Sequence, residues 1–119
     1  MKIRKYFLIL LLVSLYFVTT SSAQKTPKLT VSPLRVLHQG RVEMHGTGFT
    51  QKAIVSSHLR RPDGTEFSVL RMLTDDHGEF FHYIDASLLS PGPHEVWVVD
   101  NSSKATSNLV RFEVILEQP

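Results

Sequence analysis

Cysteine is absent from this 119-residue chain. That excludes a disulfide framework, thiolate metal ligation, a cysteine nucleophile and a lipid-modified N-terminal cysteine. Serines occur, but none sits in a G-x-S-x-G elbow, and no helix is expected to carry one. Of the six glycines, Gly46 and Gly48 lead into a strand turn rather than a helix, so no phosphate-cradling loop is formed. Acidic side chains are scattered, and nothing marks a catalytic pair among them. The reading is therefore of a protein that is not an enzyme and needs no cofactor.

Long hydrophobic runs are scarce too. The one substantial run, Phe7 to Val18, is twelve residues long, interrupted by Ser14. Spanning a bilayer takes about 20 apolar residues. Lys2, Arg4 and Lys5 precede the run, and Thr19 to Ala23 follow it as small residues. A basic start, a short apolar stretch and small residues before a cut make a secretory signal peptide. Residues 1–23 are expected to be removed after Ala23, leaving no stable membrane insertion and a secreted or periplasmic location. The formal charge of +2 is partly a property of that segment. The remaining 96 residues hold ten basic and eleven acidic side chains, a net charge of −1. A near-neutral chain whose basic doublet is Arg60-Arg61 has no footprint for nucleic acid.

What is present is a series of short alternating runs. Residues 24–28 form a polar leader containing Pro27, and residues 29–119 form the domain. Seven strands are predicted: Leu29–Val31, Arg41–His45, Ala53–Arg60, Glu66–Leu73, Glu79–Ile84, His94–Val99 and Asn108–Leu116. Turn residues divide them, as in Pro62-Asp63-Gly64-Thr65, where proline presets one φ angle and glycine supplies a positive one. Ala86 to Leu89 is read as a short helical turn. Evenly spaced short strands in about one hundred residues indicate an all-β, seven-stranded antiparallel immunoglobulin-like β-sandwich.

Three segments carry a resemblance. Gly46-Thr47-Gly48-Phe49 is followed by Asp76-His77-Gly78-Glu79-Phe80 and then by Pro91-Gly92-Pro93-His94-Glu95-Val96. In this order they resemble the G-x-G-F, D-x-G-x-F and P-G-x-Y-x-V segments of bacterial immunoglobulin-like, IPT/TIG-like domains. The resemblance extends over Lys28 to Leu116. It implies a scaffold role for Phe49, Phe80, Val96 and Val98, and a bacterial source. His94 stands where that family commonly has an aromatic residue.

The six histidines are spread at least five residues apart. No pair has the close spacing of a local metal site. They are expected at the surface and at strand ends, with no metal bound. Asp75-Asp76-His77-Gly78-Glu79 lacks the spacing of an EF-hand and is read as a hairpin turn. The expected function is an exported, non-catalytic binding or structural module of the bacterial envelope. It would contact a protein or envelope component through a sheet face or loops. The alternative is a carbohydrate-binding or accessory domain of an envelope enzyme. One Trp and three Tyr, two of them in the N-terminal segment, make a thin supply of platform aromatics for that role. With Val96 and Val98 inward, parity turns Trp97 outward between Glu95 and Val99. Trp97, Glu95 and Val99 are the candidate contact residues, since exposed apolar patches mark contact sites.

Overall fold

A computed structural model of the chain describes residues 26–116. The expected signal peptide, residues 1–23, lies outside the described residues. Eight strands and one 3-10 turn follow in order. They are β1 (Lys28–Ser32), β2 (Arg35–Leu37), β3 (Arg41–Thr47), β4 (Ile54–Arg60), β5 (Leu70–Leu73), β6 (Phe80–Asp85), the turn Ala86–Leu88, β7 (Gly92–Asp100) and β8 (Val110–Ile115). Two sheets face one another, β1-β3-β6 and β2-β8-β7-β4-β5.

The sandwich is all-β as expected, but it has eight strands rather than seven, and its sheets are not wholly antiparallel. β2 pairs with β8 in parallel. The extra strand arises at Ser32-Pro33. Proline has no N–H to continue the ladder with β3. The chain therefore leaves the first sheet there, and three residues of β2 lie along β8 in the second. A second difference concerns Glu66–Leu73. Its first half makes one bridge, Glu66 to Arg60, and regular pairing begins at Leu70.

Alternation along the strands builds the core. In β3, Val42 and Met44 point inward, while Arg41, Glu43 and His45 point out. In β7, His94, Val96, Val98 and Asp100 are all buried. Phe112 and Val114 of β8 meet them from the neighbouring strand. Burying a Val, Leu or Phe side chain stabilises by roughly 1.5–3 kcal/mol. Phe49 plugs one end of the sandwich against Phe80, with ring centroids 5.4 Å apart. Gly46 sits opposite Phe80 in the β3–β6 ladder, and a Cβ there would overlap the Phe80 ring. Gly78 needs its positive φ of 74°, and its missing side chain lets the backbone of Phe49 pass close.

His94 corrects the expectation that the histidines are scattered over the surface and strand ends. Its side chain is fully buried and stacks on Phe112, centroids 5.5 Å apart. It fills the slot of an aromatic residue. Burial pushes its pKa down, so the ring is neutral. Nδ1 lies 3.1 Å from the Gly92 carbonyl oxygen and donates to it in the matching tautomer. That leaves Nε2 as a buried lone pair with no partner among the described residues.

Two polar residues tie the sheets and loops together. Asn108 makes a peptide-like clamp on β1: Leu29 N–H donates to Asn108 Oδ1 at 2.8 Å, and Asn108 Nδ2 donates to the Leu29 carbonyl at 3.0 Å. Asp100 ends β7 and receives four bonds. The Thr50 amide and hydroxyl donate at 2.7 and 2.8 Å, and the Ser102 and Ser103 amides at 2.9 and 3.2 Å.

Candidate binding surface

The constant-type immunoglobulin arrangement divides its strands four and three. Here β5, the strand after β4, stays beside β4. The first sheet is left with three strands, and β6 is its edge. Between β6 and the β5 side of the opposite sheet lies an apolar cleft of about 300 Å³. Met44 and Ile84 line one wall, Leu59, Phe67 and Leu70 the other, and Leu88 stands at the rim. Leu88 is 77% exposed, the most exposed large apolar side chain among the described residues. His82 projects into the same cleft, because it pairs with the inward Met44.

On the outer face of β6 stand Phe81 and Tyr83, 62% and 50% exposed. Side chains of β3 back both rings, from the position paired with Phe81 and from the position diagonal to Tyr83. His45 stacks on Phe81 at 4.2 Å and 7°, and the Arg41 guanidinium lies 4.3 Å from the Tyr83 centroid. His45 Nε2 is in turn 2.9 Å from Glu79 Oε1. Each ring thus has one face against a β3 side chain and keeps large exposure elsewhere. Sequence reasoning missed this pair. The signal was the alternation itself, since an inward Phe80 requires residues 81 and 83 to face out. A count of Trp and Tyr overlooks Phe81.

The three residues singled out in the sequence lie on the opposite side of the molecule, on the outer face of the five-stranded sheet. Trp97 faces outward and is half-buried. His58 stacks on it, centroids 5.3 Å apart and 6° between planes, and the Arg60 guanidinium lies 4.8 Å from its centroid. Arg60 is also 3.2 Å from Glu95, and His58 lies 3.6 Å from Glu66. Trp97 and Glu95 are thereby brought into one outer-face lattice with two β4 side chains. Val99 pairs with Ser56 on one side and bridges to Thr106 on the other. It is half-buried beside this lattice rather than part of it.

Among the described residues the histidines do not converge. His45, His58 and His82 occupy three different faces: the outer face of one sheet, the outer face of the other, and the cleft. Asp75, Asp76 and His77 do place ligand atoms within 4.8 Å of one another, all exposed. Asp75 Oδ1 is already engaged, accepting from the His77 and Glu79 amides at 2.9 Å each. Those bonds hold its carboxyl below the ordinary range and shape the turn. Asn101, in the loop after β7, likewise serves the fold, accepting from Ser56 Oγ at 2.9 Å.

No protein-family model matches the chain, and no curated protein sequence does. The IPT/TIG-like expectation accordingly has no family match behind it. Solved structures do match. One is a cell-surface-expressed multi-modular chitinase from Paenibacillus sp. str. FPU-7. It aligns over 84% of this chain at 14% identity, with a TM-score of 0.55. The alignment spans 9% of that enzyme. Another is the CARDB domain of a Pyrococcus furiosus protein, solved in complex with di-metal ions. It aligns over 82% of this chain and all of that domain, at 13% identity and a TM-score of 0.49. At such identities the first likeness is one of fold alone, that of a two-sheet β domain. No described helix is long and apolar enough to cross a membrane.

Proposed function

We propose that this chain is an exported, non-catalytic binding module that contacts a protein or another component of the bacterial envelope. One observation carries the reading: Leu70, Tyr83 and Leu88 stay exposed around an apolar cleft, and Phe81 is exposed beside Tyr83 on the outer face of the same edge strand. Clustered exposed apolar groups mark contact sites, whereas single ones need no explanation. The fold likeness to a small part of a multi-modular enzyme is compatible with a module that holds rather than converts. Neither metal nor cofactor has a role in this reading. Trp97, Glu95 and Val99 are retained as a second, smaller contact face.

The carbohydrate-binding or accessory role is the other reading. Phe81 and Tyr83 favour it, being two exposed rings on one sheet face with Arg41 and His45 beside them. Retention of the purified protein on insoluble polysaccharide, chitin included, is compared with retention of an envelope protein by the immobilised chain. The double variant Phe81→Ala/Tyr83→Ala should lose the envelope protein while still folding. Loss of polysaccharide retention in that variant would select the carbohydrate role. Unchanged retention of the envelope protein would remove the β6 side from consideration and leave the Trp97 face.

A further inference from the structure

The sandwich has four edge strands, and three are closed or short. Asn108 clamps the outer side of β1 through both Leu29 backbone groups. β2 has three residues; β5 has four and carries Arg71. β6 is different. Its six residues, Phe-Phe-His-Tyr-Ile-Asp, contain no proline, lysine or arginine. They pair with β3 without a break from Arg41↔Asp85 to Gly46↔Phe80, so no bulge turns the edge away. Edges are normally blunted by such devices, because an open edge pairs with other chains.

The ladder fixes which backbone groups are free. Leu29 turns its N–H and C=O away from β3, toward Asn108. In an antiparallel pair bonded and non-bonded positions alternate. Thr30 therefore bonds across to His45, and Met44, the next residue, bonds to His82 on the other side. The N–H and C=O groups of Phe81 and Tyr83 then point off the sheet. Among the described residues no turn or loop backbone bond reaches them. Free donors and acceptors at this spacing are complementary to an extended backbone.

We propose that the open edge of β6 receives an extended strand from a partner polypeptide, bonded to Phe81 and Tyr83, with alternate apolar side chains lowered into the adjoining cleft. This rests on the binding-module reading and names the chemistry of the partner. An added strand would lie about 4.8 Å beyond β6. Its inward residues would then stand over the cleft lined by Ile84, Leu70 and Leu88. Its outward residues would meet the rings of Phe81 and Tyr83, where aromatic or β-branched cross-strand partners are favoured. Strand addition draws affinity from backbone bonds and specificity from alternate side chains. A second copy of this chain fits less well. The inward residues of its own β6 are committed to its own core, Phe80 buried and Ile84 packed against it, and cannot fill a neighbour's cleft.

The probe is a nine-residue peptide of alternating leucine or valine and threonine with lysine ends, titrated into the purified exported chain. Binding should shift the amide signals of Phe81 and Tyr83 and protect both from hydrogen exchange. N-methylating alternate peptide amides should weaken it at least tenfold. Tyr83→Pro removes an outward N–H without touching the ladder to β3, and Leu88→Lys puts a charge at the cleft rim; each should weaken binding by a similar factor. Should Tyr83→Pro fail to fold, the N-methylated peptide makes the same measurement. Absence of binding at millimolar peptide, or equal binding by the N-methylated form, overturns the proposal. So does self-association through Phe81 that the peptide does not disrupt. An envelope protein retained by Tyr83→Pro but lost by Phe81→Ala/Tyr83→Ala would end strand addition and leave the binding-module reading intact.

Discussion

Replacing Asp100 by asparagine should cost this domain more than any other single polar change in the described structure. The carboxylate is 1% exposed and joins the loop after β3 to the loop after β7. Burial alone would raise its pKa. The amide and hydroxyl of Thr50, with the amides of Ser103 and Ser102, more than offset this and lower it from 3.8 to about 2. One pKa unit corresponds to about 1.36 kcal/mol, so the preference for the charged form is worth about 2 kcal/mol. The group is depressed on folding. Its contribution is therefore complete above about pH 4 and is lost as pH falls toward about 2. Asparagine keeps one acceptor oxygen but aims an NH₂ group at donors, stranding at least one of them. At pH 7 Asp100→Asn should lose about 2–4 kcal/mol. For a domain of this size that lowers the midpoint by roughly 8–25 °C. Urea unfolding of both proteins between pH 7 and pH 2 is the assay. The gap between the two stabilities should be constant down to about pH 4 and narrow below it. Asp63, Asp75 and Asp85 are also held below their ordinary range, but they act equally in both proteins and cancel from the difference. A gap below about 0.5 kcal/mol at pH 7, or one that does not narrow in acid, refutes the reasoning.

Gly46→Ala would drive a Cβ into the buried ring of Phe80. It should cost about 2–3 kcal/mol, read from the urea midpoint, as overpacked cores do. Trp97→Ala should cost about 1–2 kcal/mol, because the ring is half-buried against His58 and Arg60; a core tryptophan would cost about 3–5 kcal/mol. The exported protein should have the mass of a chain beginning at Gln24. A secreted species retaining residues 1–23 would contradict the reading of the N-terminus.

Alternation is a local property, and it makes much of this fold legible in the sequence. The inward placement of Val42 and Met44, of Val96 and Val98, and of Phe112 and Val114 follows from a side-chain period of two once a core is assumed. The turn at Asp63-Gly64 is readable for a different reason, since few residue types satisfy its backbone, and the scaffold role of Phe49 and Phe80 is what the resemblance implies. What could not be read is which edge each strand joins. That depends on backbone bonds between segments far apart in the chain and on the area their pairing buries. β2 lies along β8 because Pro33 ends one ladder, yet three residues carry too little pattern to announce a strand. Asp100 gains its role only where the fold brings Thr50, fifty residues away, onto its carboxylate. The burial of His94 is not legible locally, because its aromatic neighbour, Phe112, arrives from another strand. The candidate surface shows the same division. Parity alone turns Phe81 and Tyr83 outward, but β5 chose the β4 edge, and that pairing left β6 open beside an apolar cleft.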